Sequence, residues 1–251
     1  MADCFRNGRC GTVKTINMKI ETLNQTIVQC RKCPRLVEWR EKVASEKTRR
    51  FADWEYWGKP APGFGDLSAR FIIVGLAPAA HGTNRTGRMF TGDRSGDWLY
   101  RALHKAGFAN QPTSESRDDG LALRNCFITA LCRCAPPANK PAAEEFANCA
   151  PFMAAEFDFF FEQWSATTKN CAILCLGGLS FQHTLKLLAQ KGFDAIKPRP
   201  KFSHGAEFKL SERLYLLTSY HPSQQNTFTK RLTEEMFDGV FRRVNEILVS
   251  K

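Results

Sequence analysis

The sequence predicts a three-layer α/β/α sandwich, in which a central and mainly parallel sheet lies between two layers of helices. Short apolar runs alternate with longer segments of helical periodicity from residue 69 onward, and this alternation is typical of parallel strands connected by helices. The chain has 251 residues, an ordinary length for one large α/β domain with a single core. We therefore expect one domain over residues 16–251, preceded by a flexible extension over residues 1–15.

The first predicted elements are two helices, a connector and a strand. Residues 16–28, INMKIETLNQTIV, carry apolar residues at helical spacing, and the following CRKCPRLVEWRE predicts a loop and then a second helix. The stretch WGKPAPGFGD, at residues 57–66, is rich in Pro and Gly and predicts a connector. The run ARFIIVGLAP, at residues 69–78, is apolar and β-branched and ends in Gly and Pro. It predicts a buried strand that opens into a loop.

The later elements repeat the pattern of strand and helix. Residues 97–108, DWLYRALHKAGF, predict a helix for which Asp93, Ser95 or Asp97 is a candidate N-cap. The segments that follow are a strand at NCFITAL, a long helix at KPAAEEFANCAPFMAAEFDFFFEQW, a strand at CAILCLG, a helix at GLSFQHTLKLLAQKG, a strand at RLYLLTSY and a helix at LTEEMFDGVFRRVNEILVS. Each strand is short and apolar, as expected for strands covered on both faces.

Three polar segments follow predicted strands: GLAPAAHGTNRTGRMFTGD, CRCAPPANK and HPSQQN. Ligands of parallel α/β sheets bind in the crevice beyond the carboxyl ends of the strands, so we expect these segments to meet there. The first segment contains His81, Asn84, Phe90 and Asp93 among glycines that permit close approach of the backbone to a ligand. Phe90 offers a face on which a planar base can stack; the alternative is an ordinary core position.

The chain is strongly basic. Lys and Arg number 36 and Asp and Glu 25, which gives a net charge of +11 and a pI near 9.3. This charge favours a polyanionic partner, and the alternative is a basic protein without such a partner. No apolar run approaches the ~18 residues of a membrane span, and the start, MADCFRNGRCGTVK, lacks the apolar core of a signal peptide. We therefore expect a cytoplasmic protein without a membrane segment.

Ten cysteines in a chain without a recognisable secretion signal argue against a disulfide framework and favour free thiols or a metal site. Cys30 and Cys33 form a CxxC pair, and Cys134 and Cys149 flank the start of the predicted long helix. Two such pairs can close a site for zinc or for a [4Fe–4S] cluster, and the spacing does not distinguish these. A redox-active pair or a chance spacing is the alternative for the CxxC.

Several linked motifs make the chain resemble the uracil-DNA glycosylase superfamily, and specifically its iron–sulfur branch, known as family 5 or type b. The matching pieces are CRKCPRLVEWRE, WGKPAPGFGD, GLAPAAHGTNRTGRMFTGDRSGDWL, RCAPPANKPAAEEFANC and HPSQQNTFTKRLT. The resemblance implies a central parallel sheet between helices, a [4Fe–4S] cluster, and removal of uracil from DNA, with hypoxanthine or xanthine as alternative bases. The implied partner is single- or double-stranded DNA that contains deaminated bases, bound by a monomer.

The resemblance also implies roles for individual residues. The implied ligands of the cluster are Cys30, Cys33, Cys134 and Cys149. Phe90 becomes the stacking platform for the flipped base, and His221 faces the base and the scissile bond. The segment after the His-Pro-Ser turn combines wedge-like and phosphate-binding groups. Its residues predicted to contact DNA are Gln224, Asn226, Lys230 and Arg231.

The chain departs from related branches of the superfamily at two positions that bear on the reaction. Related branches carry an acid in the segment that here reads GLAP, at Leu76 or Ala77. Its absence fits type b and moves the prediction to other polar residues. The predicted catalytic residues are His221, Asn84 and Asp93.

The second departure concerns recognition of the base. Many relatives carry Asn where this chain has Ala130, so the sequence does not predict amide-specific recognition of uracil. The residues predicted to bind the base are Phe90, Ala77, His81 and Ala130. The rival hypothesis is a non-catalytic iron–sulfur or zinc protein that binds nucleic acid. The lack of an acid in GLAP favours this rival, whereas the presence of His221 favours an enzyme.

Overall fold

The computed structural model, which describes residues 13–193 and 200–250, contains a six-stranded sheet. The strands in chain order are β1 (Phe64–Gly65), β2 (Phe71–Gly75), β3 (Cys126–Ala130), β4 (Cys171–Leu176), β5 (Glu207–Lys209) and β6 (Leu214–Ser219). Their spatial order is β1-β3-β2-β4-β6-β5. The four central strands run parallel, and the edge strands β1 and β5 are antiparallel to their neighbours. The predicted, mainly parallel sheet is therefore confirmed.

Helices cover both faces of this sheet. They are α1 (Val13–Val28), α2 (Pro34–Glu46), α3 (Thr83–Thr86), α4 (Arg94–Lys105), α5 (Ala143–Ser165), α6 (Gly178–Gln190), α7 (Gln224–Phe228) and α8 (Glu234–Val249). Helix α1 begins three residues before its predicted start, and the rest of the predicted extension lies outside the described residues. None of the helices in the described ranges is long and apolar enough to cross a membrane.

Side chains of β2 show how the layers form, because successive residues of a strand point to opposite faces. Phe71 and Ile73 belong to the core that the sheet shares with α4 and α8, and the Phe71 ring lies 6.2 Å from that of Phe241. Ile72 and Val74 belong to the second core, which the sheet shares with α1, α5 and α6. All four side chains are buried. The three-layer sandwich predicted from the sequence is confirmed.

The N-cap of α4 fixes the end of the loop after β2. Helix α4 begins after Asp93, whose carboxylate accepts a hydrogen bond of 3.0 Å from the backbone N–H of Gly96. Of the candidate N-caps, Asp93 therefore fills this position, and the helix begins three residues earlier than predicted. The sequence does not predict strands β1 and β5, which are only two and three residues long.

Candidate active site

The three polar segments meet in a cavity of about 640 Å³ beyond the carboxyl ends of the parallel strands, as predicted. The loop after β2 contributes Ala77 and Phe90, the loop after β3 contributes Asn139, and the turn after β6 contributes His221 and Gln224. Small-ligand sites typically measure about 300–1,000 Å³, so the cavity is large enough for a nucleobase with part of its sugar.

Phe90 forms one wall of the cavity in an unusual backbone conformation. Its φ is 54°, in the left-handed region that a bulky residue rarely occupies. Its backbone N–H donates to Thr83 Oγ1 at 3.2 Å. A Cβ atom at Gly75 would lie 2.9 Å from the Phe90 ring, so only glycine leaves room for this ring at the end of β2. Strained residues that the surroundings hold in place are concentrated at functional sites, which supports a ligand-facing role for Phe90.

His221 faces Phe90 from the end of β6. The two ring centroids are 5.9 Å apart, with 31° between the ring planes. The turn is held by Asn226, whose side-chain amide donates to the His221 carbonyl at 2.8 Å. Burial lowers the pKa of His221 to about 4, so the imidazole is neutral at pH 7. A neutral imidazole next to an aromatic face can donate a hydrogen bond to an oxygen of a stacked planar ligand.

Asp93 supplies the carboxylate of the cavity, the only one on its wall among the described residues. One of its oxygens caps α4, and the other approaches Gly82 so closely that a Cβ there would lie 2.0 Å away. Burial raises the pKa of Asp93, and the α4 backbone hydrogen bond opposes that effect. The side chain is therefore fixed in orientation and is a stronger base than an exposed carboxylate.

Two predicted residues of the same loop do not line the cavity. Asn84 is buried, and its side-chain amide donates to the Arg40 carbonyl at 3.1 Å. His81 lies next to Tyr56, with 3.1 Å between Nδ1 and the phenol oxygen. Thr83 does line the cavity, and neighbouring residues of a helical turn point about 100° apart. The turn of α3 therefore directs the Asn84 amide away from the cavity wall, and the His81 ring contacts Tyr56.

Further cavity residues were not singled out from the sequence. Arg94 and Ser95 come from the first turn of α4, and Ala138 and Asn139 from the loop after β3. Asn139 has a φ of 56°, a conformation that Asn tolerates better than most residues. The segment CRCAPPANK was predicted to reach the crevice, but its sequence does not indicate which side chain would face the ligand.

The predicted DNA-binding residues follow the His-Pro-Ser turn, and one of them lines the cavity. Gln224 is on the cavity wall, and the amide nitrogen of Asn226 is bound within the turn. Lys230 and Arg231 are exposed, and the Arg231 guanidinium lies 4.6 Å from the Tyr220 ring centroid. Phe228 is 65% exposed, an unusual state for a large apolar side chain. Two cations and one aromatic ring are therefore accessible in the segment that follows the cavity residue Gln224.

The predicted cysteine ligands form a second candidate site. Cys30, Cys33, Cys134 and Cys149 line one small cavity between α2 and α5. Two side chains donate to their sulfurs: Arg40 Nη1 lies 2.9 Å from Cys134 Sγ, and Asn148 Nδ2 lies 3.5 Å from Cys33 Sγ.

Two buried guanidinium groups lie next to the four cysteines. Burial nevertheless raises the pKa of Cys134 to about 12, although the Arg40 guanidinium opposes this shift. Arg40 is only 2% exposed, and among the described residues its closest carboxylate is Glu41, at 3.8 Å. Arg133, 1% exposed, lines the same cavity and forms an ion pair of 2.5 Å with the equally buried Glu156 carboxylate. Buried cations require compensating negative charge. Glu156 supplies it for Arg133, whereas the Arg40 guanidinium has Cys134 Sγ as a buried acceptor at 2.9 Å.

The four cysteines are neighbours in the fold. No group of three or more potential ligands in the described ranges is arranged to hold one metal ion. Zinc requires four sulfurs at about 2.3 Å from a common centre.

Comparison with known proteins reveals similarity over most of the chain. The family model described as the uracil DNA glycosylase superfamily matches residues 62–245, which include all three segments of the large cavity. The chain is 51% identical over 229 residues to the type-5 uracil-DNA glycosylase of Mycobacterium leprae, covering 91% of this chain and 95% of the relative. The identity to the protein of the same name from Mycobacterium tuberculosis is 50% over 226 residues, covering 90% and 80%. That from Thermus thermophilus is 46% identical over 220 residues, covering 88% and 94%.

Proposed function

Because the chain belongs to the uracil DNA glycosylase superfamily, we propose that it hydrolyses the N-glycosidic bond of uracil in DNA and leaves an abasic site. The observation that carries this proposal is the cavity in which the Phe90 ring, the neutral His221 imidazole and the Asp93 carboxylate meet. These groups supply a stacking face, a hydrogen-bond donor and a hydrogen-bond acceptor. Each of them contributes to removal of a base by hydrolysis.

His221 has the properties of a donor to the departing base. Cleavage of the N-glycosidic bond leaves negative charge on the base and positive charge on the sugar. A fixed donor directed at the developing negative charge is commonly the largest single contribution to catalysis. The imidazole is neutral at pH 7 and therefore donates without acting as a strong acid.

Asp93 takes the role of positioning water. With Leu76 and Ala77 at the positions where related branches have an acid, Asp93 is the carboxylate that remains on the described cavity wall. A carboxylate can accept a hydrogen bond from the attacking water, and it stabilises positive charge on the sugar across the cavity. The Asn84 amide donates to the Arg40 carbonyl and does not line the cavity, which supports the choice of Asp93 for this role.

The cavity requires the base to leave the DNA helix. A base inside a duplex cannot reach His221 unless it is flipped out, at a cost of about a few kcal/mol that is lowest for mispaired bases. Phe90 stacks on the flipped base. The exposed Phe228, whose ring centroid lies 4.8 Å from the guanidinium carbon of the cavity residue Arg94, occupies the gap left in the helix. Lys230 and Arg231 bind the flanking phosphates. A monomer suffices, because one chain supplies all these groups.

Single-turnover base excision tests this function. Purified protein in excess is incubated with single-stranded and double-stranded oligonucleotides that contain one uracil, and alkali then cleaves the abasic sites. We expect cleavage at the uracil position and release of free uracil. A protein that binds the oligonucleotide without releasing the base would instead be the non-catalytic nucleic-acid-binding protein.

Hypoxanthine is a second candidate substrate. Ala77 and Ala130 line the cavity with small apolar side chains, which leave space for a purine and provide no amide to select uracil. The same assay with hypoxanthine and xanthine in place of uracil tests this. Excision of uracil alone would show that contacts other than these two alanines select the base.

We also propose that Cys30, Cys33, Cys134 and Cys149 hold a [4Fe–4S] cluster. The four sulfurs surround one cavity next to two buried guanidinium groups. The bound cluster would supply a covalent cross-link between the segment before α2 and the start of α5, and hydrolysis needs no electron transfer. A brown protein with about four irons per chain supports this proposal, whereas a colourless protein with one zinc contradicts it.

A further inference from the structure

Buried polar contacts connect the four-cysteine cavity with the loop that carries the active-site residues. The Arg40 guanidinium donates to Cys134 Sγ at 2.9 Å and to the Cys30 carbonyl at 3.2 and 3.3 Å. The backbone carbonyl of Arg40 accepts a hydrogen bond of 3.1 Å from the side-chain amide of Asn84. One residue of α2 therefore touches both cysteine segments with its side chain and the active-site loop with its backbone.

Asn84 lies at the centre of that loop. Its backbone N–H donates to the Ala79 carbonyl at 3.0 Å, and its own carbonyl accepts from Gly58 N at 3.0 Å. Ala79 and the neighbouring Thr83 both line the large cavity, and Thr83 Oγ1 accepts the hydrogen bond that fixes Phe90. A displacement of Asn84 would therefore move the part of the wall against which the base stacks.

The contact between Arg40 and Asn84 differs from ordinary core packing because it buries polar atoms. Asn84 Oδ1 and Arg40 Nε are buried without a hydrogen-bond partner. Leaving polar atoms unsatisfied is unfavourable, and an apolar residue of similar volume would avoid it. A buried polar contact of this kind can fix one arrangement of two segments at a cost in stability.

We propose that Arg40 and Asn84 are positioning residues that couple the cysteine site to the active-site loop. When the cluster holds Cys30 and Cys134, Arg40 is fixed, and the Arg40–Asn84 hydrogen bond holds the loop in the geometry that excision requires. Linkage is reciprocal, so the loop in turn stabilises the cluster. Typical couplings between sites change an equilibrium by about 5-fold to 150-fold, and a single hydrogen bond corresponds to the lower end of that range. The inference rests on the proposed cluster and does not depend on which base is removed.

The first test uses Asn84→Leu, which keeps the side-chain volume and removes the amide. The matched control is Asn170→Leu, because Asn170 is also buried and its amide donates to a helix carbonyl, that of Ile247 at 3.0 Å. Release of iron to a chelator is followed by the loss of visible absorbance, without DNA. We expect Asn84→Leu to release iron about fivefold faster than the wild type, and Asn170→Leu to release iron at the wild-type rate.

The reverse test uses Arg40→Lys, which keeps the positive charge and removes the planar guanidinium. Backbone amide exchange is measured in the iron-loaded protein at Arg85, Thr86 and Gly87, whose N–H groups are hydrogen-bonded within the loop. We expect about fivefold faster exchange at these amides, with amides of α8 unchanged. The single-turnover excision rate of Arg40→Lys should fall while its affinity for DNA stays the same.

The outcomes separate this inference from the proposed function. Equal iron release by Asn84→Leu and Asn170→Leu, or unchanged loop exchange in Arg40→Lys, would overturn the coupling even if the wild type excises uracil. A wild type that releases no base would overturn the proposed function, yet the iron and exchange measurements would still decide the coupling. If either variant fails to fold, the other provides the decision.

Discussion

Replacement of His221 by Ala should slow base excision far more than it weakens DNA binding. The imidazole lines the cavity from the end of β6, 5.9 Å from the Phe90 ring between centroids. It can approach a base stacked on that ring from the side. The truncation removes the donor that meets the charge on the departing base and leaves the exposed DNA-binding residues unchanged.

The expected loss of excision rate is that caused by removing one hydrogen-bond donor. Removing a single donor in comparable oxyanion sites costs about 10²–10³ in rate, or about 3–4 kcal/mol. Because burial lowers the His221 pKa to about 4, only about one imidazole in a thousand is charged at pH 7. The donor is therefore the neutral ring, and its contribution should be constant from pH 6 to pH 8.

The assay is single-turnover excision of uracil with enzyme in excess, measured for the wild type and His221→Ala at several pH values. His104→Ala is the control, because His104 is an exposed histidine of α4. We expect a rate ratio of about 100–1,000 that does not change with pH. A ratio that falls as pH rises through about 6.5 would show that a charged imidazole acts. Near-complete activity of His221→Ala would refute the reasoning and leave Asp93 as the main catalytic group.

Three further predictions concern the other groups of the two sites. The wild-type rate should fall as pH is lowered through the raised pKa of Asp93, and Asp93→Asn should lose this dependence together with about a hundredfold in rate, measured as a pH profile. Cys33→Ser should lower the iron content and the melting temperature before it affects the specific activity of folded protein, measured by iron analysis and calorimetry. Replacing Lys230 and Arg231 by Ala should flatten the log–log dependence of DNA affinity on salt by about one unit for each phosphate that the protein no longer binds.

Each of these predictions has a control. Asn is as good an N-cap as Asp, so Asp93→Asn should keep the stability of α4, and an unchanged pH profile would exclude Asp93 from the reaction. Cys171→Ser alters a buried cysteine of β4 and should leave the iron content unchanged. Lys169 precedes the amino end of β4, at the edge of the sheet opposite to the cavity. Lys169→Ala removes this cation and should not change the salt dependence of DNA affinity. A normal melting temperature with loss of activity in Cys33→Ser would contradict the structural role of the cluster.

The sheet and the meeting of its loops could be predicted because they depend on patterns that extend over many residues. Alternation of apolar runs and helical segments determines that the strands are parallel, and parallel strands bring the loops of Phe90, Asn139 and His221 to one edge. The side chains of Asn84 and His81 could not be placed in this way. Their direction depends on one turn of helix, in which a shift of a single residue changes the direction by about 100°.

The surroundings of the cysteines were also inaccessible to sequence reasoning. The CxxC pair and its distant partners Cys134 and Cys149 could be connected through the resemblance to a family. Arg40 could not, because arginine in an amphipathic helix usually faces solvent. Its burial follows from the position of α2 next to the cysteine cavity, which is known only once the tertiary structure is known.

Within the described part of the chain, the ring of His221 makes no hydrogen bond. Only the backbone carbonyl of this residue is bound, by the side-chain amide of Asn226. The proton of a neutral imidazole is normally assigned to one nitrogen by the partner of the other. Without such a partner, both tautomers are accessible at little cost. The substrate itself can then select Nδ1–H or Nε2–H, so one side chain can serve bases whose acceptor atoms lie at different places around the ring.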